Sequence, residues 1–344
     1  MPVNSFGSVM TMAEAVKNIG PSQEQLAVVD VISQGTPIIE EGHWEESNDY
    51  QAYRLLQTMT EAIGTDAIIN QGVNWEVNTL RPVTEVIQEL ESALKIDVRI
   101  LRKQKNAEEF KRIQAELFIR GLAKSFHDRV FFGNTTIGQT TQVSADEIVG
   151  LHSRFNAIQN ITYNQIQGLP YWPANVVSAG GNTGGAQQSL WIIKWGKDGV
   201  FFPFPRDGQD FINMEDMPEI QLVYDANNRP FRAEVTFFSI SFGLCVADWR
   251  CVQRMCNIDA THPWSSDLMV QLLAGLPDTD MTGVVAYCSR PVWIQAMQQA
   301  KNNANSFHFD DAPWGKKTAF FMDIPFRVCD RLTQGLAGFE PVIT

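Results

Sequence analysis

The sequence predicts an α+β fold, and three features carry that prediction. One long helix is marked at both of its ends, a central stretch is dense in strand-forming residues, and the leading third is too polar to close on itself. The helix lies in NAEEFKRIQAELFIRGLAKSFHDRVFFGN. Asn106 is its N-cap, with Glu109 placed to reach back three positions later. Phe110, Ile113, Leu117, Leu122, Phe126 and Val130 recur close to helical spacing, and Gly133 supplies the stop. The expected helix spans residues 106–132 and is about 40 Å long. Gly121 inside it costs about 1 kcal/mol relative to Ala and marks a close contact or a bend.

The leading third is built differently. Helical patterns at Met12 to Ile19 and in QEQLAVVDVISQG, stopped by Gly35, are followed by a polar stretch with scattered apolar residues. That stretch predicts two extended limbs around a turn near Gly64, Thr65 and Asp66, each reaching about 65 Å at strand rise. A two-stranded ribbon of this kind is marginal in water alone, so it needs a surface from elsewhere, and another copy of the chain is the simplest source.

Beyond the long helix, SADEIVGLHSRFN predicts a second capped helix, with Ser144 and Glu147 as the pair. Strands are expected in SLWIIKWG, GVFFPF, EIQLVYD and the long FRAEVTFFSISFGLCVADWR, with DANNRP as a hairpin turn. SSDLMVQLLAG is helical, GVVAYCS is a strand, and Ser289 with Pro291 opens the helix SRPVWIQAMQQAKNN. TAFFMDIPFRVCDRL gives two closing strands. Trp191 and Trp195 fall on one face of SLWIIKWG, opposite Leu190, Ile192 and Lys194; a core role and a subunit contact both suit them.

Charge excludes some functions and suggests one. The formal net charge of −12 argues against dedicated DNA or anionic-membrane binding, which needs excess Lys and Arg. Residues 1–100 carry 15 acidic against 5 basic side chains, whereas residues 101–130 carry 8 basic against 4 acidic. An acidic arm and a basic helix read either as two solvated faces or as complementary surfaces that steer association and register. No run of about 18 apolar residues suggests a membrane span, and the N-terminus shows no signal-peptide pattern. Five scattered cysteines, none in a CxxC pair, read as buried reduced thiols.

Catalytic and cofactor motifs are weak. The glycine-rich AGGNTGGAQQSLWIIKWG runs from Ala179 to Gly196. It lacks the Lys-Ser/Thr pair and following helix of a phosphate loop, so it reads as a flexible lead-in to a strand. His308, Asp310 and Asp311 sit in an apparent polar loop with no second histidine at ligand spacing. Glu40, Glu41, Glu45, Glu46 and Asp49 lie on what reads as a solvated arm, where no carboxyl would be raised for acid catalysis. No GxSxG elbow occurs, and His152 lacks a triad context. No catalytic residue, cofactor or metal is expected.

The ordered set QGTPIIEEG, INQGVNWE, the long helix ending FFGNT, then SLWIIKWG, GVFFPFP and VADWRCVQRMCNID resembles the major capsid proteins of epsilon15-like short-tailed bacteriophages. The similarity runs from about Gln34 to Asp259. It implies the Hong Kong 97-type capsid fold: an N-terminal arm (1–41), an extended loop (42–83), a peripheral domain with its spine helix (84–165), and the remaining peripheral strands with the axial domain (166–344). It also implies a virion shell protein made in the host bacterial cytoplasm. Its expected partners are itself, as pentamers and hexamers, a separate scaffolding protein and a portal protein, with a decoration protein as a further candidate, around double-stranded DNA. Candidate subunit-interface residues are Trp44, Tyr50, Tyr53, Trp75, Arg102, Lys103, Lys111, Arg112 and Arg120. An encapsulin-like compartment and an oligomeric cytosolic hydrolase are the alternatives. No lysine lies between Lys17 and Lys95, so the loop has no amine for a lysine–asparagine crosslink.

Overall fold

A computed structural model describes residues 37–60, 62, 66, 68–70, 72, 75–133, 147–158, 174–182, 187–206, 212–216, 220–225, 227–278, 280–302, 307–311, 317–334 and 342–343. The two expected N-terminal helices lie outside them, as do Gly64, Thr65 and Ser144.

The chain divides into two compact units. One takes residues 1–33, 89–126 and 208–241; the other takes 34–88, 127–207 and 242–344. In the first, β4 (Gln88–Asp97), β8 (Ile212–Asp216), β9 (Gln221–Tyr224) and β10 (Pro230–Phe242) form a sheet ordered β4-β10-β8, with β9 also on β10. DANNRP is the hairpin turn expected, with Tyr224 paired to Pro230. A helical turn, α2 (Val98–Leu101), leads to the long helix α3 (Ala107–Phe131).

Asn106 Oδ1 accepts the Glu109 N–H at 3.3 Å, so the N-cap forms as expected. Glu109 turns instead to Arg112, at 2.7 Å. Phe110, Ala115, Phe118 and Leu122 pack on Leu94, Ile96 and Phe238. The buried stripe runs Phe110, Gln114, Phe118, so Leu117 is exposed and Gln114 is in, because a four-residue step tracks this face better than the expected one. Gly121 faces open space and makes no close contact. Gly133 stops the helix with φ +61°.

The second unit holds a seven-stranded sheet. Its strands are β5 (Val176–Ser178), β6 (Gln188–Lys194), β12 (Val252–Ile258), β13 (Val284–Cys288), β14 (Phe307–Asp311), β15 (Lys317–Phe321) and β16 (Ile324–Val328), ordered β14-β15-β16-β13-β6-β12-β5. The β6 strand is buried on both faces, as central strands are. Leu190 and Ile192 join Met255, Trp264 and Ala286 under two helices, α5 (Ser266–Leu273) and α6 (Arg290–Asn302). Trp191 and Trp195 take the other face: Trp191 meets Phe131 and Phe155, and Trp195 Nε1 donates to Tyr287 Oη at 2.9 Å. Both tryptophans are therefore core residues of their own chain.

Several expectations need correcting. The predicted helix around Glu147 shrinks to α4 (Leu151–Arg154). Glu147 pairs with Arg129, the Ile148 N–H donates to Gln88, and Gly150 backs onto Gly133 so closely that a Cβ on either would strike the other's backbone. The long strand breaks after Phe242, because Gly243 lies against Pro203 and the Val86 carbonyl. The chain continues as the two-residue strand β11 (Cys245–Val246), then a 3₁₀ turn in which Asp248 caps Trp249–Cys251. Trp249 and Arg250 thus sit in a turn. SFHFDD is not a loop: Phe307–Asp311 is strand β14 paired with β15. The side chains of His308, Asp310 and Asp311 lie outside the described residues. All five cysteines are buried, and burial pushes the Cys251 and Cys329 thiols up to about 12.

Candidate functional site

The site is a hairpin of the second unit, and its base is built from the residues that precede it. A helical turn, α1 (Ile38–Glu41), is followed by β1 (Trp44–Glu46), which pairs in parallel with β7 (Val200–Phe204) in register Trp44↔Phe202. The carboxylates here are not all solvated, as the sequence suggests. Glu41 accepts from Tyr287 Oη at 2.9 Å and pairs with Arg327, while Glu45 pairs with Lys197. Docking of β1 on β7 brings them to these partners. The start of the supposedly homeless arm therefore has a seat on its own chain.

The hairpin itself is β2 (Ala52–Thr60) with β3 (Thr79–Val86), antiparallel from Ala52↔Val86 to Thr58↔Leu80. That register is symmetric about Ile69, beyond the expected Gly64-Thr65-Asp66 turn. Asn70, next to that centre, takes a left-handed conformation with φ +67°. Ser47 Oγ donates to the Ala52 carbonyl at 2.8 Å, and the Asn48 side chain both donates to the Arg54 carbonyl (2.6 Å) and accepts its N–H (3.0 Å). Tyr53 sets its ring edge-on to Phe201, and Gln57 Nε2 donates to the Ala247 carbonyl at 3.0 Å. On the other strand Glu85 takes a bidentate grip from Arg154, at 2.6 and 2.7 Å. Arg154 also donates to the carbonyls of Val149 and Leu244.

Further out the anchoring ends. Leu56, Ile68, Val77 and Leu80 are all exposed, Ile69 is 89% exposed and Trp75 fully so. Single exposed apolar residues are normal, but six on one hairpin, one of them a fully open tryptophan, make this a candidate interaction surface.

The structure scatters the nine candidate interface residues. Trp44 is half-buried, packed at 4.9 Å on Phe202 with its Nε1 donating to the Ile39 carbonyl, and Tyr53 is likewise held by Phe201. Tyr50 and Trp75 are exposed. Lys111, Arg112 and Arg120 lie on α3, pairing with Glu108 and Glu234, Glu109, and Glu116 respectively. Arg102 and Lys103 are exposed and make no ion pair among the described residues. The basic helix is thus largely balanced by its own acids. Ile68, Ile69 and Val77, exposed on the same hairpin, were not among the nine candidates; the apolar residues of the IINQGVNWEV segment were the available signal.

No cluster of three or more His, Cys, Asp or Glu placed to hold a metal occurs among the described residues, and no described helix is long and apolar enough to cross a membrane. The fold is shared with solved capsid proteins. A bacteriophage epsilon15 chain is 20% identical over 96% of this chain and 97% of its own, with a TM-score of 0.67. The bacteriophage JBD30 capsid chain is 8% identical over 91% and 99%, with a TM-score of 0.52. An encapsulin of Synechococcus elongatus PCC 7942 matches at 11% identity over 74% and 98%, but its TM-score of 0.41 is too low to support an argument. No curated protein sequence matches.

A long helix beside a sheet, a second sheet-based unit and a two-stranded hairpin make up the Hong Kong 97-type fold that this chain shares with the epsilon15 chain. Residues 20–336 match the family model for Major capsid protein GP7, and the chain belongs to that family. Its role is structural, as a component of the virion capsid.

Proposed function

We propose that copies of this chain assemble as pentamers and hexamers into an icosahedral shell, with each hairpin laid over a neighbouring copy, and that the shell encloses double-stranded DNA. The carrying observation is Trp75, fully exposed near the end of a ribbon whose base is anchored and whose outer part carries several other exposed apolar side chains. Heterologous contacts of this kind, one patch of a subunit on a different patch of the next, are what close rings. The net charge of −12 suits a wall that holds DNA without gripping it. Hairpin contacts are non-covalent, because no lysine lies between Lys17 and Lys95. A separate scaffolding protein sets the size, a portal protein occupies one vertex, and a decoration protein is a further possible partner. No chemical step is assigned to the chain.

Negative-stain microscopy of the full chain, expressed alone and with neighbouring gene products, tests this reading. Closed shells of uniform size are expected only with the scaffolding protein. Uniform shells from the chain alone refute the scaffold requirement, and a discrete small oligomer under every condition refutes the shell. A ladder of loop-linked multimers on denaturing gels of mature particles refutes the non-covalent hairpin.

A further inference from the structure

The glycine-rich stretch that opens at Ala179 lacks the Lys-Ser/Thr pair of a phosphate loop, but its first residues belong to a built site. At the end of β12 the pairing with β6 slips between Met255 and Ile258, and Asn257 adopts φ +57° there. Asparagine tolerates this left-handed geometry better than most residues. Its side chain is 2% exposed and fully used. Nδ2 donates to the Ile343 carbonyl at 2.8 Å, and Oδ1 accepts the Ile343 N–H at 2.8 Å. Nδ2 also donates to Ser178 Oγ at 3.0 Å, while the Asn257 carbonyl accepts the Gly181 N–H at 3.0 Å. A Cβ on Gly181 would strike that carbonyl and the Asp259 carboxylate, so the approach needs glycine.

A side-chain amide that gives to a carbonyl and takes from the N–H of the same residue imitates one rung of an antiparallel ladder. Such a contact reads backbone, not side chain, which is how extended peptides are captured at sheet edges. Ile343 itself is only 6% exposed, so an aliphatic side chain is taken along with the backbone. We infer that Asn257 is the core of a peptide-capture site for an extended segment carrying an aliphatic residue, occupied in cis by the chain's own Ile343. Occupancy is tied to the end of β5 and the start of the glycine-rich stretch, since Ser178, Gly181 and Ile343 all meet at one side chain and its carbonyl. The site is a clip: when Ile343 leaves, Asn257 loses two of its partners and the segment at Gly181 loosens with it.

The test uses the full-length chain and a fluorescein-labelled peptide of residues 338–344, GFEPVIT. Ile343→Asp ejects the internal occupant. This variant is expected to bind the peptide saturably, one per chain and at least ten-fold tighter than the wild type. Adding Asn257→Gly, which keeps the left-handed backbone but removes the amide, is expected to lose that binding at least ten-fold. Equal peptide affinity of wild type and a folded Ile343→Asp chain overturns the inference, as does full binding by the double variant. Hydrogen exchange of Asn257→Gly against wild type serves should Ile343→Asp fail to fold. Protection of the Ile343 and Gly181 amides is expected to fall together by ten-fold or more while Val285 on β13 is unchanged; unchanged protection at Ile343 overturns it.

Discussion

Strand β6 and the β2–β3 hairpin belong to the same unit and both carry apolar side chains, yet those side chains meet opposite fates. In β6, Leu190 and Ile192 face one core layer while Trp191 and Ile193 face the other, and all four are buried. In the hairpin, Tyr53 packs on Phe201 near the base, whereas Leu56, Ile68, Ile69, Trp75, Val77 and Leu80 stand in solvent. The difference is in the number of neighbours a strand can recruit. β6 has a strand on each side and helices above, whereas β2 and β3 have only each other among the described residues. A two-stranded ribbon cannot supply a second layer. One strand completes a core and the other awaits a surface.

Substitutions can break this contrast. The largest effect is expected at the clasp. Arg154→Met leaves Glu85 as an unpaired, nearly buried carboxylate, the two side chains being 9% and 11% exposed. A destabilisation of about 3–5 kcal/mol follows, measured by urea unfolding of the unassembled chain, and restoring neutrality with Glu85→Gln in the same chain should recover part of it. Trp191→Ala, in the two-sided core, is expected to cost about 3–5 kcal/mol in the same assay. Trp75→Ser should do the opposite on both scales. Unfolding of the unassembled chain stays within about 0.5 kcal/mol of wild type, whereas shell yield by sedimentation collapses. A Trp75→Ser chain that assembles normally shows the exposed tryptophan to be incidental.

Smaller gains sharpen the contrast from the stable side. The β15–β16 turn places Met322 and Asp323 at φ +48° and +67°, a two-residue turn that prefers Asn-Gly. Met322→Asn with Asp323→Gly is expected to stabilise by about 1 kcal/mol. Gly121→Ala, on an exposed helix position with open space for a methyl, is expected to add up to about 1 kcal/mol. A loss of stability there means the position is covered in a way the lone chain does not reveal.

What could be read from residues alone follows how local each cause is. Asn106 and Gly133 act within a turn of their own helix, and both ends of α3 fall where the sequence put them. The shared face of Trp191 and Trp195 follows from the period of a strand. The break after Phe242 depends on Pro203 and Val86, which approach Gly243 only in the folded chain, so no local pattern announces it. The same holds for Glu41, whose partners Tyr287 and Arg327 lie more than two hundred residues away. That the hairpin builds no private core was legible in its polarity and scattered apolar residues, and its outer apolar side chains are exposed. Its register centres on Ile69 because pairing is set at the base, where Ala52 meets Val86.

Hydrogen exchange on the unassembled chain and on purified shells tests the central claim most directly. With the chain free, amides from Ile68 to Leu80 should exchange within seconds while β6 stays protected, and in the shell the same hairpin amides should slow by at least a hundred-fold. A hairpin already protected in the free chain, or one still open in the shell, contradicts the account.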